Sequence, residues 1–328
     1  MPYVLWPPAA AFALSVTITW WLSLSRLSRF ALDHPNQRSL HESPVPRTGG
    51  VGLHAGVACA WLIAGPDLPV PLAIGALVLF VISFVDDVRG LHVLLRLLAH
   101  LGCAALFAMS VVYPVSDILA LALAAIAIAW MINVYNFMDG SDGLAGGMAF
   151  IGFAAYGCAA WGAGDAPLAA LDFGIAAASA GFLVFNFNPA RVFLGDAGSV
   201  PLGYLAATLG IMGWLHGDWP SWYPVCVFSP FIVDASVTLA RRMYRRERVW
   251  QAHRDHYYQR LVQLGWGHAG TAWAEYALML GCAAAALFAL KQGPLLQAAT
   301  LAVVAFVYVI AAIAIEGAWR AHRTRHAS

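Results

Sequence analysis

Charge is what this chain lacks most. Only 11% of its 328 residues are Asp, Glu, Lys or Arg, while 61% are hydrophobic and the mean hydropathy is +0.71. Lysine is almost absent, Lys291 standing alone against 17 arginines. No polar block large enough to form a soluble domain interrupts the apolar runs, which excludes chemistry carried on a detached domain. Cysteine is equally uninformative. Cys59, Cys103, Cys158, Cys226 and Cys282 are scattered inside apolar stretches and make neither a CxxC pair nor a disulfide framework. The first apolar run has no basic residue before it, and Arg26 and Arg29 follow it, so it reads as an uncleaved span rather than a leader.

What is present is hydrophobic length. Stretches near 4–25, 50–65, 69–85, 92–112, 117–134, 144–162, 167–185, 198–216, 221–240, 271–290 and 295–318 approach or exceed the roughly 17 residues a bilayer-spanning helix needs. The expected fold is therefore all-α, a polytopic membrane protein of about eleven helices forming one catalytic domain over 1–328. With the N-terminus outside and the C-terminus cytoplasmic, the inner face receives the connections 26–49, 86–91, 135–143, 186–197 and 241–270 and the tail from 319. Those segments, with Arg96 one turn into the next span, hold every arginine, and only Lys291 falls outside. So complete a skew satisfies the positive-inside rule and supports the count independently of hydropathy.

The same parity gathers the polar residues. "VDDVRG" with Asp86 and Asp87, "NVYNFMDGSDGLAGG" with Asn133, Asn136, Asp139 and Asp142, "NFNPARVFLGDAGS" with Asn186, Asn188 and Asp196, and "HRDH" with His253, Arg254 and His256 all fall on the inner side. At a helix centre each carboxylate would cost about 2.5–3.5 kcal/mol to insert, so these belong at an interface or in a wet cavity, where such residues are functional by default. Intervals of three place Asn133, Asn136, Asp139 and Asp142 on one side of a helix. By contrast Asp67, Asp165 and Asp218, in the short outer connections, read as turn residues.

Carboxylates mixed with amide carbonyls suit Mg²⁺, or Mn²⁺, which uses one or two protein carboxylates together with phosphates and water. Zinc fits poorly, because His253 and His256 lack a third nitrogen or sulfur ligand in an obvious arrangement. Imidazoles beside Arg254, in a loop of seven arginines, suit phosphate. Gly140, Gly143, Gly146 and Gly147 are expected to interrupt and restart a helix, and Gly195 and Gly198 to do the same around Asp196. Gly143 and Gly147 also fit a close-packing face.

These motifs, with "HPNQRSLHESPVPRTGGVGL" before them and "HRDHYYQRL" after, resemble in order and loop position the polyprenyl-phosphate N-acetylhexosamine-1-phosphate transferases. The resemblance implies a Mg²⁺-dependent enzyme of the bacterial inner membrane with a cytoplasmic site. It would move a sugar 1-phosphate from a UDP-N-acetylhexosamine to undecaprenyl phosphate and release UMP, starting O-antigen or another envelope polysaccharide. Matching positions imply Asp196 and Asn136 as metal ligands, Asp86 and Asp87 at the lipid phosphate, and Asp142 and Phe193 at uracil. Asn186 and Asp139 belong to the nucleotide and metal surroundings, and His253, Arg254 and His256 to the pyrophosphate and sugar. The catalytic set is thus Asp86, Asp87, Asp139, His253 and His256, and the substrate-binding set Asp142, Asn186, Phe193 and Arg254. Membrane lipid is a partner, nucleic acid is not expected, and oligomeric state, a homodimer included, stays open.

The pentapeptide-carrying branch of the family typically has a triple-histidine loop. "HRDH" departs from it and favours donors without peptide, UDP-GlcNAc or a modified donor such as UDP-FucNAc or UDP-QuiNAc. Either a single displacement or an aspartyl-phosphate intermediate fits the residues. The main rival is an ion-coupled transporter, which would place its acids in interrupted helices near mid-span. The GxGD and YD pair of intramembrane aspartyl proteases and the DGxxAR of CDP-alcohol phosphatidyltransferases are both missing.

Overall fold

The computed structural model describes residues 6–25, 31–33, 44–65, 68–248 and 253–326. Arg26, Arg29, Arg38, Asp67 and the first ten residues of the motif at 34–53 lie outside them. Each of the eleven apolar stretches carries a helix: α1 (Trp6–Leu24), α2 (Gly49–Ala64), α3 (Val70–Arg89), α4 (Val93–Phe107), α5 (Ile118–Phe137), α6 (Leu144–Ala163), α7 (Ala166–Asn186), α8 (Asp196–His216), the pair α9 (Trp222–Val227) and α10 (Ser229–Tyr244), then, beyond the short α11 (Tyr257–Leu261), α12 (Gly267–Leu290) and α13 (Pro294–His326). Among the described residues, nine helical segments are long and apolar enough to cross a membrane. The protein is an all-α polytopic membrane protein.

Two stretches depart from a simple span. Helix α2 has 16 residues, and the stretch at 221–240 breaks at Phe228. Pro230 has no N–H to offer the carbonyl of Cys226. The Ser229 hydroxyl donates to that carbonyl instead, at 2.6 Å. The only strands among the described residues are Leu32–Asp33 (β1) and Val45–Pro46 (β2), an antiparallel ribbon pairing Leu32 with Pro46 that the sequence reading did not anticipate.

Helices α6 and α8 are buried over 78% of their apolar length and α7 over 67%, whereas α3 is buried over 22% and α13 over none. The centre of the molecule is thus α6, α7 and α8, with α1 and α2 against α7, and α3 and α5 against α8. Small residues make this possible, because close backbone approach replaces the hydrophobic drive that lipid removes. At the tightest crossing, a Cβ on Gly50 would stand 2.4 Å from the backbone nitrogen of Gly198. Gly198 therefore serves α2–α8 contact inside α8, and only Gly195 marks the helix start. Gly143 and Gly147 both pack against Tyr276 of α12, so they do form one packing face.

Gly50→Ala should lower the thermal unfolding midpoint of the detergent-purified protein, because the obstacle is backbone and overpacking costs about 1–3 kcal/mol. Gly102→Ala, where nothing lies within 4 Å of the added carbon, should leave it unchanged or slightly raised. Equal losses in both variants would refute the crossing.

Candidate active site

The carboxylate cluster begins at the end of α3. Asp86 accepts from the Leu91 backbone N–H at 2.5 Å and from Arg96 Nη1 at 2.8 Å. Asp87, its side chain 1% exposed, reaches the start of α8, where Oδ1 accepts from the Asp196 N–H at 3.1 Å and Oδ2 from the Ala197 N–H at 2.8 Å. It supplies the cap that α8 lacks in its own sequence, where Gly195 occupies the preceding position. Gly195 has φ +73, and a Cβ there would meet Asp87 Oδ2 at 2.8 Å, so both its conformation and its bareness are needed.

Asp196 is thereby held at the first turn of α8. Its Oδ1 accepts from Asn136 Nδ2 at 2.9 Å and its Oδ2 from Arg96 Nη1 at 3.3 Å, and the Asn136 amide also donates to Ser199 Oγ at 3.0 Å. Arg96 thus sits between two acids from α3 and α8. Arg47 Nη2 pairs with Asp33 at 2.6 Å, and its Nη1 lies 3.9 Å from Asp87, which ties the ribbon to the cluster.

Helix α5 ends at Phe137, so Asn133 and Asn136 are helical while Asp139 and Asp142 lie in the connection to α6. This corrects the expectation of four residues on one helical side. The half-buried Asp139 carboxyl is held well above the ordinary carboxylate range, first by burial and then by the charges of Asp196 and Asp87. It has no hydrogen-bond partner among the described side chains. Such crowding of carboxylates, with the Asn136 amide bonded to Asp196, fits a hard divalent cation: Asp196, Asn136 and Asp139 could hold one.

Asp142 belongs to a second neighbourhood. Its Oδ2 accepts from Asn188 Nδ2 at 2.8 Å and from the Ala190 N–H at 3.0 Å, and His268 Nδ1 lies 3.8 Å from its Oδ1. Asn186 braces this second neighbourhood, accepting from the Gly143 N–H at 3.0 Å and donating to the Val192 carbonyl at 3.0 Å. Both ends of its amide hold backbone, one residue from Asp142 and one from Phe193. Phe193, half-buried, donates its N–H to Pro46 and accepts from the Gly49 N–H at 2.9 Å.

The "HRDH" loop is fastened by Asp234. This buried α10 residue accepts from the N–H groups of Tyr257 at 2.9 Å and Tyr258 at 3.0 Å and pairs with His256 Nδ1 at 3.2 Å. His256 stacks near Phe137, and the Tyr258 hydroxyl donates to the Phe137 carbonyl at 3.2 Å, bringing the loop to the end of α5. His253, next to His256, is kept neutral: burial, then the charges of His256 and Arg242, lower its pKa to about 4. Arg254 accepts at its carbonyl from Gln263 Nε2 at 3.1 Å.

The structure therefore brings Asp86, Asp87, Asn136 and Asp196 into one bonded cluster with Asp139 beside it. It links Asp142, Asn186 and Phe193 in a second group and sets His256 against the α5 end, with His253 packed beside His256 and Arg254 between them in the chain. Sequence reasoning missed Arg96, Asp234 and His268 as site residues. The first two carried a signal, an ionisable group inside an apolar stretch, which is functional by default.

The acids of this α-helical membrane protein are gathered at helix ends, where such residues are functional by default. Residues 70–214 match the model of glycosyl transferase family 4. The chain is 28% identical over 255 residues to a probable undecaprenyl-phosphate N-acetylglucosaminyl 1-phosphate transferase of Bacillus subtilis, covering 73% of this chain and 71% of that one. It is 27% identical over 286 residues to the undecaprenyl-phosphate alpha-N-acetylglucosaminyl 1-phosphate transferase of Yersinia pestis, 79% and 75% of the two chains. A shorter match, 41% over 98 residues and 29% and 30% of the chains, is to the phospho-N-acetylmuramoyl-pentapeptide-transferase of Levilactobacillus brevis. Over residues 70–214 the chain is thus similar to glycosyl transferase family 4, and over most of its length to proteins named as polyprenyl-phosphate N-acetylglucosaminyl 1-phosphate transferases.

Because Asp139 is disfavoured as an anion in the fold, Asp139→Asn should match or exceed the wild-type unfolding midpoint when both are measured in chelator at neutral pH. Asp87→Ala should lower the midpoint, because the lost cap costs about 0.5–2 kcal/mol of stability. For His253 the shift is downward, so stability from its neutral form is complete above pH about 6.5 and is lost as pH falls from there towards 4. His253→Gln should abolish that portion of the acid sensitivity, and an unchanged pH profile would refute it.

Proposed function

We propose that this protein transfers N-acetylhexosamine 1-phosphate from a UDP-N-acetylhexosamine to undecaprenyl phosphate, releases UMP, and so starts a cell-envelope polysaccharide such as O-antigen at the cytoplasmic face of the inner membrane. The observation that carries this reading is the meeting of Asp86, Asp87, Asn136 and Asp196 from three helix ends, with Asp139 alongside. Relatives named for transfer of N-acetylglucosaminyl 1-phosphate to undecaprenyl phosphate support the same reaction.

Bringing one phosphate onto another is the barrier. Mg²⁺, when bound, supplies charge neutralisation for the diphosphate and the departing UMP. Asp196, the Asn136 carbonyl and Asp139 are the residues to hold it. Arg96 and Arg47 hold the remaining carboxylates in register, and the prenyl phosphate, already largely ionised near neutral pH, needs little base. Asp86 and Asp87 each have both carboxylate oxygens engaged, so they position α8 and Arg96 rather than attack phosphorus. This favours single displacement over an aspartyl-phosphate intermediate. Asp142, Asn188 and the Ala190 N–H form a polar corner for the uracil edge, next to Phe193. His253, kept neutral, and Arg254 line the approach of the sugar and pyrophosphate.

Purified protein with Mg²⁺, undecaprenyl phosphate and UDP-GlcNAc, UDP-FucNAc or UDP-QuiNAc should release UMP with at least one donor. Chelator should abolish release. Asp196→Ala should lower it by roughly 10²-fold or more, and Asp139→Asn should do so while keeping its fold. No turnover with any of the three donors would overturn the reading, and lipid-independent ion-driven uptake in vesicles would favour a transporter.

A further inference from the structure

Helix α11 has two working sides. Tyr258 and its neighbour His256 face Phe137 and Gly140 at the carboxylate site. Tyr257 and Arg260 instead face the last turns of α13, where Arg260 Nη1 donates to Glu316 Oε2 at 2.9 Å and its guanidinium lies 5.5 Å from the Trp319 ring centre. On that second side is a cavity of about 190 Å³, lined by Arg245, Arg260, Arg320 and Arg323 with Glu316 and Trp319.

Its positive charge is only partly spent. Glu316 is already shared by Arg241, Arg260 and Arg320, and Asp255, which also reaches the cavity, is held by Arg242 at 2.6 Å. Arg245 and Arg323 have no acidic partner among the described residues, and the buried Nε of Arg260 has no acceptor. The volume lies below the roughly 300–1,000 Å³ of pockets that enclose a whole ligand. It suits an anionic headgroup better than a nucleotide sugar.

The approach to the cavity is apolar. Phe306, Ile313 and Arg320 succeed one another at intervals of seven along α13, as do Val309, Glu316 and Arg323, so one helix side runs from hydrocarbon-facing residues directly into the arginines. Phe306 and Ile313 are 64% and 68% exposed. From this continuity of apolar track and guanidinium cluster we infer that the cavity seats the phosphate headgroup of an anionic membrane phospholipid whose acyl chains lie along α13. The site is separate from the carboxylate cluster and does not depend on the reaction proposed above.

Delipidated full-length protein in neutral detergent, given phosphatidylglycerol, phosphatidylcholine or inorganic phosphate, tests this by native mass spectrometry and by the thermal unfolding midpoint. Phosphatidylglycerol should be retained at one molecule per chain, at least about tenfold over phosphatidylcholine, and should raise the midpoint. Arg245→Gln with Arg323→Gln should abolish that preference, since about fivefold for each arginine near a membrane surface compounds to roughly 25-fold. Arg323→Gln alone, on the exposed end of α13, should lose about fivefold and guards against a folding defect in the double variant. The charge-matched pair Arg89→Gln and Arg191→Gln should keep the preference. Equal retention of the two lipids, or equal loss in the charge-matched pair, would overturn the site. Inorganic phosphate at millimolar concentration reproducing the midpoint shift or displacing the lipid would overturn its assignment to a phospholipid.

Discussion

The Asp87 carboxylate at the first turn of α8 is the contact on which the site depends. It accepts two backbone N–H groups that no other described group satisfies, and it does so from a helix more than 100 residues earlier in the chain. A helix start left without acceptors is costly when buried, so this pairing fixes α3 against α8 in rotation and in depth. Asp196 takes its place from that fit, Asn136 and Arg96 take theirs from Asp196, and Arg47 carries the arrangement out to the β ribbon. Gly195 and the Gly50–Gly198 crossing are the steric conditions under which the approach is allowed.

From this anchor the polar end of the bundle divides into three linked parts. The carboxylates stand at the ends of α3, α5 and α8. The Asp142 corner hangs on the amide of Asn186, and the "HRDH" loop hangs on Asp234. The last turn of α5 and its connection to α6 together touch all three: Asn136 meets Asp196, Gly143 meets Asn186, and Phe137 meets His256 and Tyr258. The reaction proposed above needs a metal, a nucleotide and a sugar phosphate in one place, and a short segment in contact with each part is an economical way to hold them in register.

Much of this was legible before any coordinates. Hydropathy located the long helices, though not the short α11 or the break at Phe228, and the one-sided distribution of arginine grouped four polar loops that the structure brings together. Periodicity failed at Asp139 because a regular interval of three continues past the point where Met138 and Gly140 end the helix; side-chain spacing does not reveal where backbone hydrogen bonding stops. Asn186 was legible as a site residue but not as a brace, since its partners Gly143 and Val192 are set by tertiary approach. Asp234 and Arg96 each sit alone in an apolar stretch; the loop partners of Asp234 lie 22–24 residues away, and Arg96 joins one acid 10 residues away to another 100 residues away. A carboxylate whose partner is distant in sequence looks like a misfit until the chain is folded.

The contrast between α8 and α13 bears on how freely such a chain can change. Residues in α8 are fixed from several directions at once: a methyl group on Gly198 would meet Leu194 and Gly50, and one on Gly203 the backbone of α5. No described residue of α13 is buried, so most of its apolar positions would accept Val, Ile, Leu or Phe alike. Random substitution should therefore be purged from the first and accumulate in the second, so that variants of this protein would diverge along a helix that still has to end in arginine.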